Sequence, residues 1–170
     1  MSPGLYLVAT PIGNARDITL RALEILQQAD AVFAEDTRVT AKLLALHGLN
    51  RQLHSYREHN AERAEREILR HLEHGESVAL VSDAGTPLIS DPGQRLVRSV
   101  TEEGHAVFPV PGASAALAAL TASGLAGERF LFAGFLAPRA AERRRAIREL
   151  EAVPATLVFF EGPSRVADAL

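Results

Sequence analysis

The sequence predicts an α/β protein with a mostly parallel sheet flanked by helices. Short apolar runs alternate along the chain with segments whose apolar residues recur at helical spacing. Strands that alternate with helices at this pace are typical of βαβ units, in which the strands lie parallel. The composition agrees with a globular fold, because 47% of the 170 residues are hydrophobic and 23% are charged.

The first part of the chain supplies strands and helices in regular order. Residues 5–9 (LYLVA) are an apolar run that predicts a buried strand, and residues 17–30 carry apolar side chains at helical spacing. Gly48 and Gly75 follow two further helical segments and are expected to cap them. The other predicted elements are strands at 31–34, 52–56, 77–82 and 105–110, and helices at 40–47, 61–75, 91–100 and 114–123, with Asp91-Pro92 opening the third of these.

The amino-acid composition of the chain changes near Leu125. Residues 124–139 (GLAGERFLFAGFLAPR) are rich in glycine and phenylalanine, and an Arg-rich helix, a strand in ATLVFFEG and the start of a helix in PSRVADAL follow. We therefore expect a first α/β domain over residues 1–123, and a linker with the truncated start of a second α/β domain over residues 124–170.

The composition excludes several classes of function. The chain has no cysteine, which removes disulfides, thiolate nucleophiles and cysteine metal sites, and its six His residues form no HxxxH or HxH pair, so we predict no metal. No long apolar segment and no signal-peptide pattern is present, which predicts a cytoplasmic protein with no membrane partner. The formal charge of -3 argues against a general nucleic-acid coat.

Four polar or glycine-containing segments follow the predicted strands. They are TPIGN, EDTR, SDAGTP and PVPGASAA. In open α/β sheets, ligands bind in the crevice beyond the carboxyl ends of the strands, so these loops are expected to converge on one site. Neither GxGxxG nor GxxxxGK[ST] occurs, which leaves a dinucleotide fold and a P-loop unsupported.

Two of these loops contain groups suited to a small polar ligand. The Asp83 carboxylate could accept hydrogen bonds from ribose hydroxyls or an ammonium group, and Gly85 permits close backbone approach. The alternative is a turn in which Asp83 caps its own backbone. Ser114 is placed to cap a helix whose first amides could hold a carboxylate, or it serves as a cap alone.

Two more segments carry candidate reactive groups. Residues 35–38 (EDTR) place two carboxylates and a guanidinium at the crevice, although a self-satisfied surface ion pair has the same pattern. Tyr56, His59 and Asn60 combine stacking and hydrogen-bonding groups before a helix, and His59 is either inert or a proton acceptor near neutral pH. Residues 139–148 hold five arginines against one glutamate, which indicates either a phosphate-binding patch or a solvated helix face.

Taken together, these blocks resemble one family. YLVATPIGNARDITLRALEIL, AEDTR, SDAGTPLISDPG, PVPGASAALAAL and LVFFEGPSRV occur in the order typical of the ribosomal RNA small subunit methyltransferase I group, within the tetrapyrrole methylase superfamily. The resemblance implies an S-adenosylmethionine-dependent enzyme that methylates the 2′-hydroxyl of a cytidine in small-subunit (16S) ribosomal RNA or the 30S particle. It also implies two α/β domains with the cofactor between them, and a homodimer.

The resemblance also assigns residues. It implies that the cofactor is bound by Pro11, Asp83, Gly85, Thr86, Ser114, Ala115, Phe160 and Glu161. The RNA-binding residues are expected to be Asn14, Asn60, Arg139, Arg143, Arg144 and Arg145. In SYREHN the family commonly has His at the position of Arg57, which is a departure, whereas His59 and Asn60 match.

Methyl transfer to a ribose hydroxyl needs orientation and exclusion of water, and a nearby base assists a poor nucleophile. Asp36 and His59 are the candidate bases, with Arg38 positioning a phosphate or the other carboxylate.

Two other functions fit parts of the pattern. A tetrapyrrole (precorrin or uroporphyrinogen) C-methyltransferase would share the fold and cofactor, but ATPIGN and SDAGTP differ from the GxGxGD and GDP loops of those enzymes. A non-catalytic RNA-binding module is disfavoured by the net acidity.

Overall fold

The computed structural model describes residues 1–89 and 94–169. It divides the chain into two compact units, residues 1–114 and the segment from Ala115 onward. The predicted helix opening at Asp91-Pro92 lies outside the described residues. Within the described residues, no helix is long and apolar enough to cross a membrane.

The first unit is built on a five-stranded sheet in the order β3-β2-β4-β1-β5. Its paired strands run parallel, which confirms the predicted α/β class. The strands are β1 (Gly4–Val8), β2 (Ala31–Ala34), β3 (His54–Ser55), β4 (Ser77–Val81) and β5 (Val107–Val110).

Among the residues that the structure describes, four α-helices connect these strands. They are α1 (Leu20–Gln28), α2 (Thr37–Leu46), α3 (Ala61–Glu73) and α4 (Gln94–Glu102), and short 3-10 turns lie at Ala15–Asp17 and Glu58–Asn60. Helix α2 begins three residues before the predicted start, because the Asp36 side chain caps it by accepting a hydrogen bond from the Arg38 backbone N–H.

Alternate residues of the central strands bury against opposite layers of helix. Ala79 and Val81 of β4 belong to a core cluster with α1 and α2, whereas Val78 and Leu80 belong to one with α3 and α4. A fully buried aliphatic or aromatic side chain contributes about 1.5–3 kcal/mol. The first unit is therefore a three-layer structure with a core on both faces, and its carboxyl-end loops are attached to a rigid sheet.

The second unit contains a two-stranded parallel sheet of β6 (Phe130–Phe135) and β7 (Thr156–Phe160). Three helices belong to it, α5 (Ala115–Ala122), α6 (Ala140–Leu150) and α7 (Val166–Ala169). Strand β6 lies in the segment interpreted from sequence as linker. Gly134 has φ +69 there and the register shifts between Phe132 and Phe135, so the alternation that marks a strand is interrupted.

The boundary between the two compact units falls after Ser114. Helix α5 groups with the second unit because Ala116 and Leu120 form a buried cluster with Val158 of β7. The domain division over residues 1–123 and 124–170 stays a prediction.

Candidate functional site

The loops after β1 and β4 are joined to each other at the carboxyl edge of the sheet. Thr10 N–H donates to the Gly85 carbonyl at 2.9 Å and Gly85 N–H donates to the Thr10 carbonyl at 3.0 Å. The buried Thr10 hydroxyl donates to the Ser82 carbonyl at 3.1 Å. Gly85 has φ +81, a conformation that strains any side chain-bearing residue. The SDAGTP loop is thus fixed against TPIGN by backbone bonds.

The loop after β5 approaches the same place. The Thr86 hydroxyl donates to the Ala113 carbonyl at 3.4 Å. A Cβ at Gly112 would lie 2.9 Å from Cβ of Ala9, which is too close, so only glycine lets this loop pack against the end of β1. Three of the four predicted loops are therefore held together within the first unit.

Asp83 links the β4 loop to the β2 loop. Its Oδ1 accepts a hydrogen bond from Asp36 N–H at 2.8 Å, and its own N–H donates to Oε2 of Glu35 at 3.3 Å. Asp83 therefore bonds to a neighbouring loop rather than capping its own turn, and its contact with a ligand stays a prediction. Its Oδ2 makes no hydrogen bond within the described residues, and the side chain is exposed.

Asp36 holds two arginines. Arg38 donates to it through Nε at 3.0 Å and Nη2 at 2.6 Å, and Nη2 of Arg57 lies 2.9 Å from Oδ2. The hydrogen bonds from Arg38 and the charge of Arg57 hold the pKa of Asp36 well below its usual range. A carboxylate that resists protonation so strongly is a weak base, which argues for Asp36 as an organiser of guanidinium groups.

Arg57 is a site residue that the sequence interpretation missed. Its Nε donates to the Glu35 carbonyl at 2.7 Å, and its N–H donates to Oδ1 of Asn60 at 2.6 Å. Asn60 also donates through Nδ2 to the Ser55 carbonyl at 3.1 Å, so its amide closes the loop. The only signal in the sequence was the departure from the family pattern at this position.

The buried residue Tyr56, next to Arg57 in the chain, stabilises the same loop. Tyr56 is 3% exposed and donates through its hydroxyl to Oε1 of Glu65 at 3.2 Å. Oε2 of Glu65 lies 3.3 Å from Nε of Arg95. Burial, followed by the Glu65 charge, raises the pKa of the Tyr56 hydroxyl. Helices α3 and α4 thereby fix the residue next to Arg57.

The side chains around Asp36 and Arg57 line an open cleft of about 380 Å³. The lining residues are Glu35, Asp36, Arg57, Glu58, His59 and Asp83. His59 is exposed and makes no hydrogen bond within the described residues, so its ring is accessible from the cleft. The structure thus brings together the predicted Asp36, His59 and Asp83, with Arg38 attached through Asp36.

Other predicted residues lie elsewhere. Asn14 is exposed and caps the turn at Ala15–Asp17 by accepting from Arg16 N–H at 3.1 Å. Pro11 follows Thr10 in the β1 loop, and Ser114 and Ala115 stand where the first unit ends and α5 begins.

Phe160 and Glu161 belong to the second unit. The Phe160 ring packs against Phe132 with ring centroids 4.6 Å apart. Oε1 of Glu161 lies 2.5 Å from Nη2 of Arg165, whereas its Oε2 is buried and has no hydrogen-bond partner within the described residues. An unpaired buried carboxylate oxygen is costly, so this atom has capacity for a donor from a ligand.

The fold is that of an α/β protein whose loops meet beyond the carboxyl ends of its strands, the place where open α/β sheets bind ligands. The described residues contain no group of three or more His, Asp or Glu side chains arranged to hold a metal ion. The chain belongs to the tetrapyrrole (corrin/porphyrin) methylases, whose family model matches residues 4–170.

Individual relatives narrow the comparison. The chain is 56% identical over 170 residues to a ribosomal RNA small subunit methyltransferase I of Mesorhizobium japonicum, and 49% identical over 166 residues to that of Escherichia coli O157:H7. The two matches include 100% and 98% of this chain, respectively. The chain spans only 58% of the length of each relative. A uroporphyrin III C-methyltransferase structure from Thermus thermophilus is similar with a TM-score of 0.64 at 26% identity, over 95% of this chain and 71% of that one.

Proposed function

We propose that this chain takes part in S-adenosylmethionine-dependent methylation of small-subunit ribosomal RNA, at the 2′-hydroxyl of a cytidine. The observation that carries the proposal is the identity of 49–56% to small-subunit ribosomal RNA methyltransferases over nearly the whole chain. The gathered crevice loops supply a site of the kind that such a cofactor needs.

The residues of the crevice fit S-adenosylmethionine. Gly85 gives its loop a left-handed turn and Gly112 lets the β5 loop pack against Ala9, so both glycines shape the crevice. Oδ2 of Asp83 is available to a hydroxyl or ammonium donor. The carboxylates of Glu35 and Asp83 complement a sulfonium charge. When bound, the cofactor supplies an electrophilic methyl group. Pro11, Thr86 and Ser114 complete the proposed contacts from the first unit, and cofactor contacts of Ala115, Phe160 and Glu161 stay predictions from the resemblance.

The chain's own residues would then orient the acceptor ribose. His59 is the better candidate for removing the hydroxyl proton, because Asp36 is committed to two arginines. Arg38 and Arg57 retain N–H donors beyond those used by Asp36 and Glu35, so they can position a phosphate next to the reacting ribose. Orientation of the ribose by these groups favours an in-line displacement.

RNA contacts are proposed at Asn14, Asn60, Arg139, Arg143, Arg144 and Arg145. Ribosomal RNA as substrate places the enzyme in the cytoplasm, and we keep the homodimer as part of the proposal. No membrane or metal is required for methyl transfer from a sulfonium.

Calorimetric titration with S-adenosylmethionine, followed by methyl transfer assays, tests this function. Transfer is expected to small-subunit particles or naked small-subunit RNA, with the label released as a 2′-O-methylated cytidine. Cofactor binding with transfer to uroporphyrinogen instead would favour the C-methyltransferase, and RNA binding without cofactor binding would favour a non-catalytic module.

A further inference from the structure

The arginine-rich helix α6 does not use its arginines in one way. Arg139 lies 3.1 Å from the carboxylate of Glu142, and Arg145 lies 2.8 Å from that of Glu149. Arg143 donates through Nη1 to the carbonyls of Ala137 and Pro138 at the start of the helix. These three guanidinium groups are engaged by the protein itself.

Arg144 and Arg148 behave differently. The Nε of each donates only to the carbonyl four residues earlier, at 3.4 Å for Arg144 and 3.3 Å for Arg148. Neither lies within salt-bridge distance of a carboxylate among the described residues, and both side chains are exposed. A guanidinium has five N–H donors, so each keeps its Nη donors for another molecule.

The helix geometry places the side chains of Arg144 and Arg148 next to each other. Residues four apart lie on one helix face, and with a rise of 1.5 Å per residue the two positions are about 6 Å apart along the axis. Both side chains fold back toward the start of the helix in the same manner. Helix α6 buries none of its residues, so this face is not committed to the core of the described unit.

We propose that Arg144 and Arg148 form a two-cation contact for consecutive phosphates of the RNA substrate. The inference rests on the proposed function and narrows the expected arginine contacts with RNA to this pair. It adds Arg148 and removes Arg139, Arg143 and Arg145.

Charge complementarity favours a phosphate backbone as the occupant. Residues 1–114 carry fifteen Asp and Glu against eleven Lys and Arg, so the net charge of this unit opposes RNA binding. Guanidinium groups match phosphate oxygens in pairs of hydrogen bonds. Two unpaired arginines on one face therefore add attraction that offsets the net negative charge of the first unit.

The test compares two double variants that remove the same charge from the same helix. R144Q/R148Q removes the unpaired arginines, and R139Q/R145Q removes those paired with glutamates. Binding of small-subunit RNA is measured by fluorescence anisotropy from about 50 to 200 mM salt, a range over which phosphate contacts dominate the salt dependence. We expect R144Q/R148Q to lower the slope of log affinity against log salt by about 1.4–1.8, since each phosphate contact contributes about 0.7–0.9.

The control R139Q/R145Q should lower the slope by less than half that amount, and cofactor affinity should stay the same in both. Equal slopes for the two variants would overturn the inference, while the proposed function would stand if particles are still methylated. A wild-type protein that binds cofactor but shows no salt-dependent RNA binding would overturn both. If the double variant loses helix content by circular dichroism, the single charge reversal R148E carries the same comparison against R145E.

Discussion

The two units of the molecule differ in how their order is maintained. The first has buried clusters on both faces of a five-stranded sheet, whereas the buried cluster of the second unit consists of Ala116, Leu120 and Val158. The first is acidic, and the second carries seven Lys and Arg against six Asp and Glu. From this difference we propose that the first unit positions the small ligand, and that the arginines of the second unit attract the polyanion.

Truncation of a buried side chain should have the largest effect, and the loss in the free energy of unfolding should differ between the two units. Phe33→Ala removes a fully buried ring from the first unit, and we expect a loss of about 3–5 kcal/mol in the free energy of unfolding. Leu120→Ala, at 8% exposure in the small cluster, should cost about 2 kcal/mol or less, near the low end for such changes. Urea unfolding measures both. Equal losses would contradict the claim that the two cores differ.

The buried support below the cleft should have the next largest effect. Glu65→Ala leaves the Tyr56 hydroxyl without its acceptor, which we expect to cost about 1–3 kcal/mol of unfolding free energy. Glu65→Gln keeps an acceptor for Tyr56 and serves as the matched control. Thermal unfolding of the two variants gives the comparison, and an Ala variant as stable as the Gln variant would show that the hydroxyl finds another partner.

Replacement of Asp83 sharpens the assignment of ligand binding to the first unit. We expect Asp83→Ala to weaken S-adenosylmethionine binding at least tenfold, which corresponds to about 1.4 kcal/mol, because it removes the available oxygen and releases the β2 loop. Asp83→Asn keeps the acceptor for Asp36 N–H and isolates the charge. Calorimetry on folded variants measures the change, and unchanged affinity for Asp83→Ala would return this residue to a purely structural role.

The smallest expected effect is on the stability of the protein at acidic pH. Because the pKa of Asp36 is lower in the folded protein than in the unfolded chain, its contribution to stability is present at neutral pH and is lost as the pH falls below about 4. Asp36→Asn should therefore show a shallower decline of stability between about pH 5 and pH 2. Superimposable stability profiles for the two proteins would contradict the depressed pKa.

The sequence was sufficient for most of the first unit and insufficient for the contacts of the site. Buried parallel strands such as β4 appear as continuous apolar runs, and Gly48 and Gly75 mark helix ends with φ +72. Strand β6 was missed because a glycine and a register shift interrupt its alternation. Local patterns carry this information, and they fail where the backbone departs from a regular period.

Site chemistry depends on pairs that are distant in sequence. Asp36 and Asp83 were both candidates, but the hydrogen bond between them joins residues 47 apart, and no local pattern predicts it. The role of Arg57 depends likewise on Glu35, 22 residues earlier. These contacts arise only when β2 lies between β4 and β3, so Asp36 and Asp83 were predictable as members of the site but their partners, and the role of Arg57, were not.

The backbone bridge between Thr10 and Gly85 has a consequence for mutational tolerance. Both of its hydrogen bonds are made by main-chain atoms, so at position 10 every amino acid except proline keeps the N–H that the bridge needs. At position 85 the φ of +81 leaves glycine as the one unstrained choice. A saturation scan should therefore show two different restrictions: small side chains that fit the buried site of Thr10 are tolerated at position 10, whereas almost only glycine is tolerated at position 85.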